Sequence, residues 1–237
     1  MSNNLPVQTY PDNWNVYATA DEVAQVAVNR VLDIAKRAIK TTGAFHFVTA
    51  GGTTPLKIYQ ILSTLSHTAD IDWTKWHIYM GDERCLPKTH LERNSLALQQ
   101  AWLDNSPIPK DHQYFMPAEL GPEQAALQYQ KVVSGVLFDL VLLGMGEDGH
   151  TASLFPGHTQ IKKQNKWVIS EYQSPKPPAQ RVSLSYECLS HAQHVIKLIT
   201  GETKKEAIAD WLSGLELPIK KIKGQQTEVL LSQESLP

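Results

Sequence analysis

Residues 138–158 read FDLVLLGMGEDGHTASLFPGH, and the construction of that stretch decides the fold. Phe138, Leu140, Val141, Leu142 and Leu143 make a short, almost uninterrupted apolar run. That is the pattern of a strand buried on both faces of a parallel sheet, which helices must cover on each side. The run then stops abruptly. Gly144, Gly146 and Gly149 free the backbone for tight turns, while Glu147, Asp148 and His150 put two carboxylates and an imidazole at the strand's carboxyl end. In open α/β sheets ligands bind at that edge.

Working outward, strand and helix patterns alternate. Trp14–Ala18 reads as a strand, and Asp21 as the N-cap of a helix whose apolar positions Val23, Val26, Ala27, Val31, Ile34, Ala35 and Ala38 follow three-and-four spacing up to Thr41-Thr42-Gly43. The segment 44–50 (AFHFVTA) is the next strand; it runs through Gly51-Gly52-Thr53-Thr54-Pro55 into a helix, with Pro55 suited to a first helical position. Further strands are expected at 76–80, 113–117, 167–171, 181–185, 194–200 and 228–231, and helices at 94–103, from Pro122 to about Val133, and at 203–211. The alternation predicts a single α/β domain over residues 1–237, a three-layer doubly wound, mostly parallel sheet with helices on both faces. The proline-rich segment 173–180 (QSPKPPAQ) is too short for a linker and reads as a stiff loop.

The 42% hydrophobic and 19% charged content is that of an ordinary globular protein, and a net charge of -2 gives no reason to expect nucleic acid or an anionic membrane as partner. Any anion site must therefore be local. The start MSNNLPVQTYPDNW has neither the basic end nor the apolar core of a signal peptide, and no 18 apolar residues run together, so a cytoplasmic location is expected. Cys85 and Cys188 have no CxxC pairing and support neither a disulfide framework nor a zinc site. Nothing in the composition points to an interface, which leaves a monomer as the default.

Gly144-Met145-Gly146-Glu147-Asp148-Gly149 matches GxGxxG after a strand, but the dinucleotide motif needs its last glycine to open a long helix. Phe155-Pro156-Gly157 cuts such a helix short, and although Glu171 lies near the distance of a ribose-binding acid, no βαβ unit leads to it. The Gly51-Gly52-Thr53-Thr54-Pro55 turn is a better anion cradle, because free amides at a helix start carry partial positive charge; a plain turn with a capping Thr is an equal alternative. It lacks the lysine of a nucleoside-triphosphate loop. Asp82-Glu83-Arg84 also follows a strand, where a solvated turn would put its charges anyway. His150, an imidazole among glycines two residues after Asp148, is the strongest single candidate for proton transfer. His46, His67, His77, His90, His112, His158, His191 and His194 are read as surface or core residues, and no His/Cys group has metal-ligand spacing. Ser153 does not sit in GxSxG and is discounted as a nucleophile.

Taken together, AGGTTP at 50–55, GDERCLP at 81–87 with Asn94 beyond it, LLGMGEDGHTASLFPG at 142–157, PKPPAQRVSLS at 175–185 and TGETK at 200–204 resemble the 6-phosphogluconolactonase family. That family lies within the glucosamine-6-phosphate isomerase/deaminase-like superfamily, with a NagB/RpiA/CoA transferase-like fold. The resemblance implies hydrolysis of a sugar-phosphate lactone, 6-phospho-D-glucono-1,5-lactone, without metal or organic cofactor. Carried over by position, it implies that His150 is the general base with Asp148 beside it. It also implies that Gly51, Gly52 and Thr53 face the phosphate, and that Asp82, Arg84, Arg181 and Lys204 belong to the substrate site. Arg93 departs from the family pattern, standing where many members carry serine, so a change at the pocket rim is expected. A glucosamine-6-phosphate deaminase or isomerase, and a non-catalytic sugar-phosphate sensor, are the competing readings.

Overall fold

The computed structural model describes residues 10–66, 70–158 and 166–237. The first nine residues of the polar start and His67 lie outside them. Seven parallel strands form the main sheet in the order β1 (Trp14–Tyr17), β10 (Gln226–Ser232), β9 (Ala192–Ile199), β6 (Phe138–Gly144), β2 (Phe45–Thr49), β3 (Trp76–Met80), β5 (Gln113–Tyr114). From β2 the chain steps outward through β3 to β5, and from β6 it steps the other way through β9 to β10. The two directions diverge between β2 and β6, which pair directly through Phe47–Leu140 and Val48–Val141. That is the switch point at which an open α/β sheet forms its crevice. The apolar run at 138–143 is buried as expected, apart from Asp139, whose carboxylate accepts the His46 amide at 2.7 Å.

The helices are α1 (Ala20–Thr42), α2 (Thr53–Leu65), α3 (Asn94–Ala101), α4 (Pro122–Val133), α5 (Tyr186–Ser190), α6 (Lys205–Leu212) and α7 (Pro218–Lys221), and the architecture is the expected three-layer α/β fold. Helix α1 is capped by Thr19 rather than Asp21. Thr19 Oγ1 accepts the Glu22 amide at 3.1 Å and the Glu22 carboxylate accepts the Ala18 amide at 2.9 Å, an arrangement close to a capping box but reaching one residue further back, one turn earlier than the apolar pattern begins. Gly43, at φ +85°, closes the helix as expected. Pro55 is the third residue of α2, not the first.

The clearest departure is at 82–84, which is a strand and not a solvated turn. Strand β4 (Asp82–Arg84) pairs antiparallel with β8 (Arg181–Leu184), and β8 with β7 (Val168–Glu171), in a second, three-stranded sheet. Gly81 is the joint: its amide donates to Thr49 O of the main sheet, and its carbonyl accepts the Leu184 amide of the small one. Helix α4 packs under β7 and β8, where Gln130 accepts the Trp167 and Val168 amides and so covers the free edge of β7. His46, His77 and His112 stack ring on ring, with centroids 4.8 and 3.9 Å apart.

Candidate active site

The crevice at the switch point is a cleft of about 230 Å³. Its first wall is the turn after β2. Tyr59, one and a half turns into α2, accepts the Ala50 amide and donates to the Ala50 carbonyl, pinning the strand end against the helix. Gly52 then takes φ +111°, and α2 starts at Thr53 with no side chain capping it and no acidic residue in its first turn. Pro55 has no N–H, so the amides of Thr53 and Thr54 are the donors left at this positive helix end. The Thr54 hydroxyl meets that of Thr200 at 2.6 Å, which ties the turn to the end of β9. Gly51 has to be glycine here, because a Cβ would fall 2.4 Å from Oδ1 of Asn94.

Opposite lies the loop after β6. No helix follows Gly149: the chain makes a Thr151–Leu154 bridge instead, and the dinucleotide reading fails on structure as it did on pattern. The loop folds back on itself through Gly146 N to His150 O at 2.8 Å and Thr151 Oγ1 to Gly144 O at 2.8 Å. Asp148 Oδ1 accepts both the backbone amide of His150, at 3.1 Å, and its ring Nδ1. The carboxylate therefore both forms the turn and orients the imidazole. Burial pushes the Asp148 carboxyl up, but the hydrogen bonds and charge of His150 outweigh it and hold the group at about 2. An ionised Asp148 can only accept, so Nδ1 carries a proton and Nε2 of the neutral ring is the free nitrogen. The ring packs over Gly146 and 4.7 Å from the Phe155 ring.

The small sheet closes the cleft. Asp82, Ser183, Arg84 and Arg181 share one face of the β4–β8 ladder, Arg84 directly opposite Arg181. Asp82 accepts from Ser153 Oγ at 2.6 Å and from Asn94 Nδ2 at 3.1 Å, so the Ser153 hydroxyl is a buried tie and not a nucleophile. Arg181 is steered by the carbonyls of Lys176, Pro177 and Pro178 and stacks 5.7 Å from Phe155; burial lowers its pKa, with Asp82 opposing. Arg84 donates through Nη1 to Glu92 O, and its buried Nε has no partner. Lys204 lowers its pKa on burial. At the rim Glu147 bridges to Lys176 at 3.0 Å.

The cleft thus brings together Gly51, Gly52, Thr53, Asp82, Arg84, His150, Arg181 and Lys204, with Asp148 behind His150. Thr200 and the working contacts of Asn94 escaped sequence reasoning; only the register of the two sheets places them here. Arg93 is not at the rim. It is 2% exposed and lies beneath α3, paired with Glu83 and Glu119. Among the described residues no group of three or more His, Cys, Asp or Glu side chains is placed to hold a metal ion, and no helix is long and apolar enough to cross a membrane.

Residues 18–231 match the family model described as glucosamine-6-phosphate isomerases/6-phosphogluconolactonase. The chain is 34% identical over 209 residues to the chloroplastic 6-phosphogluconolactonase 3 of Arabidopsis thaliana, an alignment covering 79% of this chain and 64% of that relative, so the chain spans less than two thirds of its length. Among solved structures, the 6-phosphogluconolactonase of Thermotoga maritima superposes with TM-score 0.83 at 25% identity, over 93% of this chain and 100% of that one. The enzyme of the same name from Trypanosoma brucei gives 0.82 at 25% identity, over 96% and 98%.

Proposed function

The chain belongs to the 6-phosphogluconolactonase family within the glucosamine-6-phosphate isomerase/deaminase-like superfamily, and from that premise we propose that it hydrolyses 6-phospho-D-glucono-1,5-lactone to 6-phosphogluconate, the second step of the oxidative pentose phosphate pathway. The observation that carries the reading is the Asp148–His150 pair facing an uncapped helix start across one cleft. Such a cleft supplies a base at one end and an anion site at the other. A lactone carbonyl is already electrophilic, so little beyond placement, a base and positive charge is required.

In the proposed reaction, Nε2 of His150 takes a proton from water as its oxygen bonds to C1. Positive charge from the arginine rung balances the tetrahedral oxyanion. Collapse breaks the bond from C1 to the ring oxygen, and the imidazolium returns its proton to that oxygen. Asp148 keeps Nδ1 protonated and balances the imidazolium between the two steps. The amides of Thr53 and Thr54, with Gly51 and Gly52 allowing close approach, hold the phosphate together with Lys204. No step calls for a metal or an organic cofactor. The reading takes the chain as a single domain acting as a monomer, and its net charge of -2 gives nucleic acid no purchase. Two unpaired cysteines fit a reducing, cytoplasmic compartment.

The test generates the lactone in place from glucose 6-phosphate and follows its loss. The wild type should outrun spontaneous hydrolysis, and His150→Ala should lose about 10²- to 10⁴-fold in rate while still binding 6-phosphogluconate. Binding without acceleration by the wild type would overturn the proposal in favour of a sensor, and ammonia release from glucosamine 6-phosphate in favour of a deaminase.

A further inference from the structure

Beneath the cleft, Glu83 is 0% exposed and every lone-pair direction of its carboxylate is used. Oε1 accepts the backbone amides of Arg84 and Asn94, each at 2.8 Å; Oε2 accepts the Ser95 amide at 2.8 Å and lies 3.1 Å from Arg93 Nε. Glu83 therefore caps the start of α3 from a neighbouring strand, a job that no side chain of α3's own N-terminal segment performs. Arg93 is held in turn by Leu86 O at 2.8 Å, Met116 O at 3.1 Å and Glu119 Oε2 at 3.3 Å. A fork with five donors is what lets one side chain reach two carboxylates and two carbonyls at once.

What this pair fixes is not remote from the cleft. The two amides on Oε1 belong to Arg84 and Asn94, both of which line it. The Asn94 amide group fills the space beside Gly51 where a Cβ would fall and ties to Asp82, so it sets the spacing between the phosphate-facing turn and the small sheet. The polar partner of His150 is Asp148, on the opposite wall of the cleft from these groups. We propose that Glu83 and Arg93 are positioning residues that hold Asn94 in register with the Gly51-Gly52 turn, and so set the affinity for the sugar phosphate and leave proton transfer alone. The inference rests on the lactonase reading of the cleft.

Arg93→Met should raise KM for the lactone and the Kd for 6-phosphogluconate by about 10- to 100-fold, the cost of misplacing binding groups by about 1 Å, with kcat and its pH profile near wild type. Arg93→Lys pairs with Glu83 but cannot span the carbonyls, and should fall between; it also serves if the Met variant does not fold. In a double-mutant cycle with Asn94→Ala, the Kd effects should be less than additive, because Arg93 acts through Asn94. A fall in Tm with KM and Kd unchanged, or strict additivity with Asn94→Ala, would overturn the proposal and leave the pair a purely structural one. If the wild type shows no lactonase activity, the reading of the cleft fails on that result alone, and the 6-phosphogluconate titrations still decide whether the pair positions the anion site.

Discussion

The imidazole of His150 occupies the space that a side chain would need at Gly146: a Cβ there would lie 2.0 Å from both Nδ1 and Cε1. The glycine that imitates a nucleotide-binding motif is thus required by the histidine four residues on. Gly146→Ala should push the ring off its site and lower kcat by about 100-fold, the scale of a 1 Å misplacement, with circular dichroism unchanged. A variant with wild-type kcat would show that the ring position does not matter.

Because Asp148 sits at about 2, it stays ionised throughout the working pH range and cannot itself produce an acid limb there. In Asp148→Asn an amide replaces the acceptor-only carboxylate, so the ring loses the partner that keeps the proton on Nδ1 and Nε2 free. The plateau rate should drop roughly 10- to 100-fold, a share of the ~10²–10⁴ a general base supplies. An unchanged plateau rate would separate Asp148 from the proton transfer.

Gly51 is constrained from the other side of the cleft, by Asn94. Gly51→Ala is expected to weaken 6-phosphogluconate binding by about tenfold or more, since even a small shift of the turn spoils the amide geometry. Isothermal titration would detect it. Unaltered affinity would mean that the turn is not the phosphate site.

Away from the cleft, Lys197 is buried in β9 with its ammonium 5.1 Å from the Trp211 ring and, among the described residues, no ion pair with a carboxylate. Burial, helped by Lys223, holds it at about 7 against 10.5 in the unfolded chain. Between those values the unfolded chain binds more protons, so stability rises with pH from about 7 to about 10.5, and the full penalty stands below 7. Lys197→Met should therefore stabilise the protein by ~2–4 kcal/mol at pH 7, with a gain that shrinks toward pH 10. Urea midpoints at pH 7 and 9.5 measure it; a gain independent of pH would refute the titration.

The main sheet could be read from sequence because its strands are local events: each is a buried apolar run ended by glycine or charge, and 138–143 and 76–80 needed nothing else. The small sheet could not, since β4 is three charged residues, Asp82-Glu83-Arg84, whose strand conformation comes from pairing with β8 about a hundred positions later. The same limit hid Arg93. Its departure from the family's serine suggested a change at the rim, and only the long-range placement of Glu83 and Glu119 takes it underneath. The loop chemistry of His150 and Asp148 was legible because both partners lie within two residues. Thr200 was not, because Thr54 reaches it across 146 positions.

Arg84 and Arg181 face each other on one rung of the small sheet, and like charges directly opposite weaken a ladder. An anion seated beside them would repair that weakness, so on the proposed function the carboxylate of the product, 6-phosphogluconate, would act as a folding ligand. Enzyme working at high flux should then resist heat and proteolysis better than idle enzyme, and its abundance in the cell should follow the supply of its own metabolite.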